Sequence, residues 1–142
     1  MSAEKTRPSS DVIEEVWLGG NAAAVEELVS PDYFNHAASP GHQRGIGGFR
    51  HVGEWLTAFP DAGFEIEGMI SEGEMVAVRG VASGTHEGEF MGNPPTGRSF
   101  SAAHMHWFRV SGGKILEHWA ARDDLSHMRR LGLIPAPEAA EA

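Results

Sequence analysis

The spacing of apolar residues changes once along this chain, at Pro60, and that change does most to limit the possible folds. Before it, Val12, Ile13, Val16 and Trp17 recur at helical spacing, as do Val25, Leu28 and Val29, and then Phe49, Val52, Leu56 and Phe59. Ser9 or Ser10 supplies a first N-cap, Gly19-Gly20 a stop and Asn21 a second cap, and Pro60 ends a third helix that starts near Gly48. After Pro60 the pattern alternates, as a half-buried sheet requires. Phe64 and Ile66 open one strand, Met75 to His86 forms the next, Arg98 to Val110 a long one, and Lys114 to Arg122 the last. Ser71 to Glu74 and Ser111 to Gly113 are turn sequences, and the prolines of Gly92 to Gly97 make a strand-incompatible loop. A short helix starting at Asp123 or Asp124 and closed by Gly132 completes the chain. Helices first and hairpins after predict an α+β domain, with helices packed on one face of a curved antiparallel sheet that encloses a pocket. A chain of 142 residues fits one such domain. It is placed at residues 9–133, with the polar ends 1–8 and 134–142 expected to be flexible tails.

Charge narrows the partners. With 11 Lys and Arg against 20 Asp and Glu the formal charge is −9, and the bases are scattered, so no stripe exists to follow a phosphate backbone. Nucleic acid is not an expected partner. The same acidity opposes anionic lipid, and no apolar run reaches the ~20 residues that span a bilayer. Cysteine is absent, which excludes disulfides, thiolate nucleophiles and cysteine metal sites. The first residues hold no apolar signal segment, so a cytoplasmic location is expected.

The alternating strands carry the candidate chemistry. Side chains alternate along a strand, so His104, His106 and Phe108 share one face, while Trp119 and Asp123 share a face of the next strand. If both faces look into the pocket, an imidazole and a carboxylate converge beneath a bound molecule, an arrangement suited to proton transfer. Helix capping is the competing role for Asp123, and half-buried strand positions are the competing reading of the two histidines. Asn35 and His36 follow Tyr33-Phe34 where a loop leaves the helices, and are candidates for a pocket mouth or an exposed turn. Arg79 either lines the pocket or pairs at a sheet edge, and the tryptophans are core, interface or pocket residues. His104-x-His106 raises the question of a metal, but no HExxH pattern or cysteine supports one, and neither metal nor cofactor is expected.

These pieces together resemble the SnoaL-like polyketide cyclases, or ester cyclases, of the NTF2-like superfamily. The resemblance rests on Pro31-Asp32-Tyr33-Phe34-Asn35-His36, Phe59-Pro60-Asp61, Gly84-Thr85-His86-Glu87-Gly88-Glu89-Phe90-Met91-Gly92 with Pro94-Pro95-Thr96-Gly97, and Gly113-Lys114-Ile115 with Glu117-His118-Trp119. It extends over roughly residues 10 to 133. It implies an α+β cone, often oligomeric, in which cofactor-free members close a ring by intramolecular aldol condensation. It also implies that Asp123 is the acid/base, with Asp124 the alternative, that His106 accompanies it, and that Asn35 and His36 contact substrate at the entrance.

The expected activity is therefore acid–base chemistry on a small, hydrophobic, carbonyl-bearing molecule. Asp123 and His106 are the expected catalytic pair, with Asn35, His36, Phe59, Arg79, His104 and Trp119 as substrate contacts. A non-catalytic domain that binds a hydrophobic ligand or serves in association is the alternative, and epoxide hydrolysis or hydration a lesser one. Trp107 and the apolar residues of the long strand are expected to support a homo-oligomer, a dimer or tetramer.

Overall fold

Alternation after Pro60 builds β2 (Gly63–Glu72), β3 (Met75–Thr85), β4 (Ser99–Ser111) and β5 (Lys114–Arg122), each antiparallel to the next. The computed structural model describes residues 2–135, with residues 2–5 described by backbone alone. The expected C-terminal tail falls, for residues 136–142, outside the described residues. At the other end α1 (Ser2–Asp11) begins upstream of the expected cap at Ser9, and Pro8 and Ser9 are buried, so residues 2–8 are the start of a helix rather than a loose end. The next segment, Val12–Leu18, is wound as a π-helix, followed by α2 (Ala22–Leu28), capped by the Asn21 side chain on Ala23 N. Helical spacing is predicted through Val29, with a loop leaving the helices at Asn35, but the chain forms a further strand over this stretch, β1 (Val29–Asn35), parallel to β5. The sheet order is β1-β5-β4-β3-β2, which puts β1 at an edge, where Pro31 is tolerated. A 3₁₀ segment, Ile46–His51, leads into α3 (Val52–Ala58), and α4 (Asp124–Arg130) follows β5.

The helices cover one face of the sheet. Val12, Ile13 and Val16 pack on Val76, Val78, Phe108, Val110 and Ile115 in one core cluster. A second cluster joins Ala58, Phe59 and Leu131 to Ala82, Phe100 and Ala102. Burying such aliphatic and aromatic side chains is worth about 1.5–3 kcal/mol each against exposure, and these clusters fix the strand faces. Along β4 the covered face reads Phe100, Ala102, His104, His106, Phe108, Val110. The two histidines thus interrupt an apolar row between the clusters. Gly80, opposite His104, makes room here, since a Cβ at that position would lie 2.4 Å from the Phe64 ring. Phe64 consequently rests against both His104 and His106, with ring centroids 5.9 and 5.6 Å away.

Candidate active site

Register decides which residues meet on the covered face. His104 lies opposite Arg122, His106 opposite Ala120, and Phe108 opposite His118. The members of β5 that share a face with the two histidines are therefore His118, Ala120 and Arg122, and Glu117, Trp119 and Ala121 take the other face. This corrects the expected grouping of Trp119 with His106. Alternation within each strand is as the sequence predicts, but a one-residue offset between strands reverses which sets coincide.

The result is a chain of three imidazoles. His104 Nδ1 is 3.2 Å from His106 Nε2, and His106 Nδ1 is 2.8 Å from His118 Nε2. His106 and His118 are 4% and 3% exposed, and His104 is half-buried. Trp17, delivered by the π-helical segment, lies over the chain with its ring centroid 4.7 Å from His106 and 5.5 Å from His118. Such π-helical turns are frequent where a helix positions a functional group. Phe108 stacks on His118 at 4.7 Å. Burial pushes His104 down to about 4, with the positive charge of Arg122 and the neighbouring His127 adding to the effect. It pushes His118 down to about 3, aided by Arg122 and His36, and holds His106 well below its ordinary value, aided by His118, His104 and Arg122. All three rings are neutral near pH 7, so each carries one N–H and one lone pair.

At the open end of this row stand Arg122 and the start of α4. Arg122 Nη2 donates to Ala37 O at 2.9 Å, and its Nε lies 3.8 Å from Asp124 Oδ1. Asp123 follows directly, its backbone N–H bonded to Ala103 O, next to His104. Its carboxylate is exposed and its Oδ1 accepts from Ser126 N at 3.0 Å, so it caps α4. Asp123 is accordingly at the rim, not buried against His106, because β5 ends at Arg122 and the chain turns there into a helix. The cap occupies one carboxylate oxygen.

The remaining candidates divide between the two faces. Asn35 pairs in register with His118, on the covered side, and its Oδ1 closes a turn by accepting from Ala37 N. His36 is on the opposite side: its Nε2–H donates to Glu117 Oε2 at 2.8 Å and its ring stacks on Trp119 at 4.6 Å and 2°. Arg79 is also on the outer face, opposite Met105, and pairs with Glu67 at 3.6 Å. Phe59 is fully buried among Trp55, His86, Phe90, Phe100 and His127, a core position rather than a pocket wall. His36, Trp119, Arg79 and Phe59 thus leave the expected substrate-contacting group, and His118 and Arg122 join the covered face. His118 is inconspicuous in sequence because its parity carries meaning only once the β4–β5 register is known. His42, His51 and Glu54 bring possible ligand atoms within 4.8 Å, but the two rings stack at 3.7 Å and 3°, and parallel rings cannot aim in-plane lone pairs at one ion.

Residues 10–131 match the family described as SnoaL-like polyketide cyclase. The chain belongs to that family. It is 33% identical over 116 residues to the nogalonic acid methyl ester cyclase of Streptomyces nogalater, covering 80% of this chain and 87% of that one. It is 32% identical over 139 residues to the aklanonic acid methyl ester cyclase DauD of Streptomyces sp. (strain C5), covering 92% and 86%. IdmH of Streptomyces antibioticus superposes with a TM-score of 0.72 at 32% identity, over 89% of this chain and 99% of that one. This SnoaL-like cyclase is therefore an enzyme with the expected α+β architecture, and these likenesses do not favour a non-catalytic binding domain. Among its described residues no helix is long and apolar enough to cross a membrane.

Proposed function

We propose that this cyclase closes a ring in an apolar polyketide methyl ester by intramolecular aldol condensation, without a cofactor, with Asp123 as the base and the His104–His106 pair facing the carbonyl oxygen. The observation that carries the reading is the row of neutral histidines on the covered face, half-buried at its His104 end, where the Asp123 backbone N–H bonds to the adjoining Ala103 O and leaves the Asp123 carboxylate at the rim. The Asp123 carboxylate takes a proton from the carbon α to one carbonyl. The enolate carbon then bonds to a second carbonyl carbon of the same molecule, whose π electrons move to its oxygen. That alkoxide recovers the proton from the Asp123 carboxyl group, so the product is an isomer of the substrate and no oxidant or reductant is consumed. A placed acid–base group contributes typically ~10²–10⁴-fold, and folding the substrate on the aromatic face supplies orientation. In this arrangement His106, covered by Trp17, acts through His104, whose Nε2 has no protein partner among the described residues.

Asp123→Asn tests the base without removing the cap, because asparagine caps helices about as well as aspartate. On nogalonic or aklanonic acid methyl ester the variant is expected to lose about 10²-fold or more in kcat with an unchanged melting temperature. Full turnover by Asp123→Asn would exclude Asp123 as the base.

The outer face supports association into a homodimer. Ile70, Ala77, Trp107 and Trp119 form one row across β2 to β5, with Ile70 74% and Trp107 48% exposed, and Met105 beside them is 57% exposed. Exposed apolar area of this kind, rimmed by the charged Arg109, Glu117 and Glu74, suits a self-complementary contact. Light scattering at micromolar concentration is expected to give a dimer for the wild type and a monomer for Trp107→Glu; a monomeric wild type rules the dimer out.

A further inference from the structure

The histidine row has a direction, and the buried end sets it. A neutral imidazole donates through one nitrogen and accepts through the other, so three imidazoles joined by two hydrogen bonds can be polarised in only two ways. In one, His118 Nε2–H donates to His106 Nδ1, His106 Nε2–H donates to His104 Nδ1, and His104 is left with Nε2–H at the open end. In the other every bond is reversed, and His104 presents a bare Nε2 lone pair. The two states differ at the closed end as well. His118 Nδ1 is buried and has no hydrogen-bond partner among the described residues. The first state leaves a lone pair there, and the second leaves an N–H. Buried N–H groups without an acceptor are rarer in folded proteins than acceptors left under-satisfied, so the first state is favoured.

We infer that His118 is a positioning residue: by donating to His106 at the closed end of the row, it obliges His104 to present Nε2–H, as a fixed hydrogen-bond donor, to the substrate carbonyl oxygen. The inference rests on the aldol reading above and deepens it. As the new carbon–carbon bond forms, charge moves onto that oxygen, and a donor already aimed at it costs no reorganisation when the charge arrives. Reversing the donor requires every ring of the row to change tautomer or turn over. Trp17 at 4.7 Å and Phe64 at 5.6 Å from His106 pack against its ring, and Phe108 stacks on His118 at 4.7 Å, so rotation is sterically opposed. Asp123 and His104 would then divide the work, one accepting a proton from carbon and the other stabilising the oxyanion without transferring its own proton.

The test reads tautomers and kinetics separately. In a long-range ¹H–¹⁵N correlation spectrum of histidine-labelled protein near pH 7, His104, His106 and His118 are all expected as Nε2–H tautomers; an Nδ1–H form at His104 or His106 overturns the inference. His118→Phe keeps an aromatic ring between Trp17 and Phe108 but removes the donor. It is expected to release the tautomer preference of His104 and to lower kcat about tenfold with KM within about twofold. His118→Gln, which returns an N–H donor on a chain of similar reach, is expected to recover most of the loss. Wild-type kcat in a folded His118→Phe, or no recovery in a folded His118→Gln, overturns it too. Should the protein turn over neither methyl ester, the aldol reading fails, while the wild-type spectrum still decides the polarity of the row.

Discussion

The two faces of β4 and β5 use the same kinds of residue to opposite effect. On the outer face His36 donates to Glu117, which also accepts from Arg109, and Arg109 reaches Glu74 at 3.6 Å, all in contact with solvent. Hydrogen bonds from His36 and Arg109 hold the Glu117 carboxyl below its ordinary range. On the covered face His118, the next residue, meets another imidazole instead of a carboxylate, and burial keeps it neutral. Burial has turned one histidine into a member of a directional uncharged row, whereas exposure has left the other as a hydrogen-bond donor to a solvated carboxylate. Charge in the first setting carries a desolvation cost with nothing to repay it, and in the second water and counter-charges remain available.

Cutting the row at its middle should break the inner face most severely. His106→Phe fits the surrounding aromatic rings, but leaves His118 Nε2 buried beside carbon and separates His104 from its acceptor or donor. An unsatisfied buried polar atom costs about 1–3 kcal/mol, and that is the expected loss of unfolding free energy in a denaturant titration. The kcat for either methyl ester is expected to fall more than tenfold, since the oxyanion donor is no longer oriented. A variant that kept both stability and turnover would show that the row is packing and nothing more.

Acid should act on the inner face next, and the direction is fixed by the depressed imidazoles. In the unfolded chain these histidines titrate near 6.5. In the folded chain His104 and His127 lie at about 4 and His118 at about 3, burial being the chief cause in each. Between those values the unfolded chain binds more protons, so the stability due to these groups is complete above about pH 6.5 and is lost as the pH falls toward 4 and 3. Thermal melts from pH 7 to pH 4 should show a falling midpoint, and the fall should be shallower in His106→Phe. A midpoint unchanged over that range would mean the rings are solvated in the fold.

Much of this is legible in the sequence alone. The break at Pro60, the turns at Ser71–Glu74 and Ser111–Gly113, and the ends of β5 and α4 follow from local chemistry that needs no knowledge of neighbours. The pairing of His104 with His106 on one face followed from alternation alone. What alternation could not supply was the offset between β4 and β5, which depends on a bulge between Arg109 and Val110 and decides whether His118 or Trp119 joins that face. Phe59 and β1 were obscured for a related reason: the aromatic cluster around Phe59 draws residues from α3, β4 and α4, and a proline-containing edge strand looks like a loop until its partner strand is in place. Asp123 satisfies the capping pattern and the family pattern at once, and sequence had no means of separating them.

The smallest effect should come from the outer face, and its smallness is the sharper half of the comparison. Glu117→Gln removes the charge that His36 and Arg109 share but leaves the amide able to accept, with the neighbouring His118 still turned the other way. Exposed ion pairs are weak and are screened by salt, so the melting temperature should drop slightly at low ionic strength, with the difference gone at ~0.5 M salt. Turnover should stay within about twofold of wild type, because the substitution touches neither the histidine row nor Asp123. In the proposed dimer, whose rim holds Arg109 and Glu117, association should weaken with the same salt dependence, measurable as a shift in the light-scattering midpoint. A large loss of turnover in Glu117→Gln would mean the two faces are coupled through β5, with the Glu117 backbone carrying a change in charge on one side to the position of His118 on the other. That outcome would replace a picture of independent faces with one in which the outer ion pairs hold the row in place.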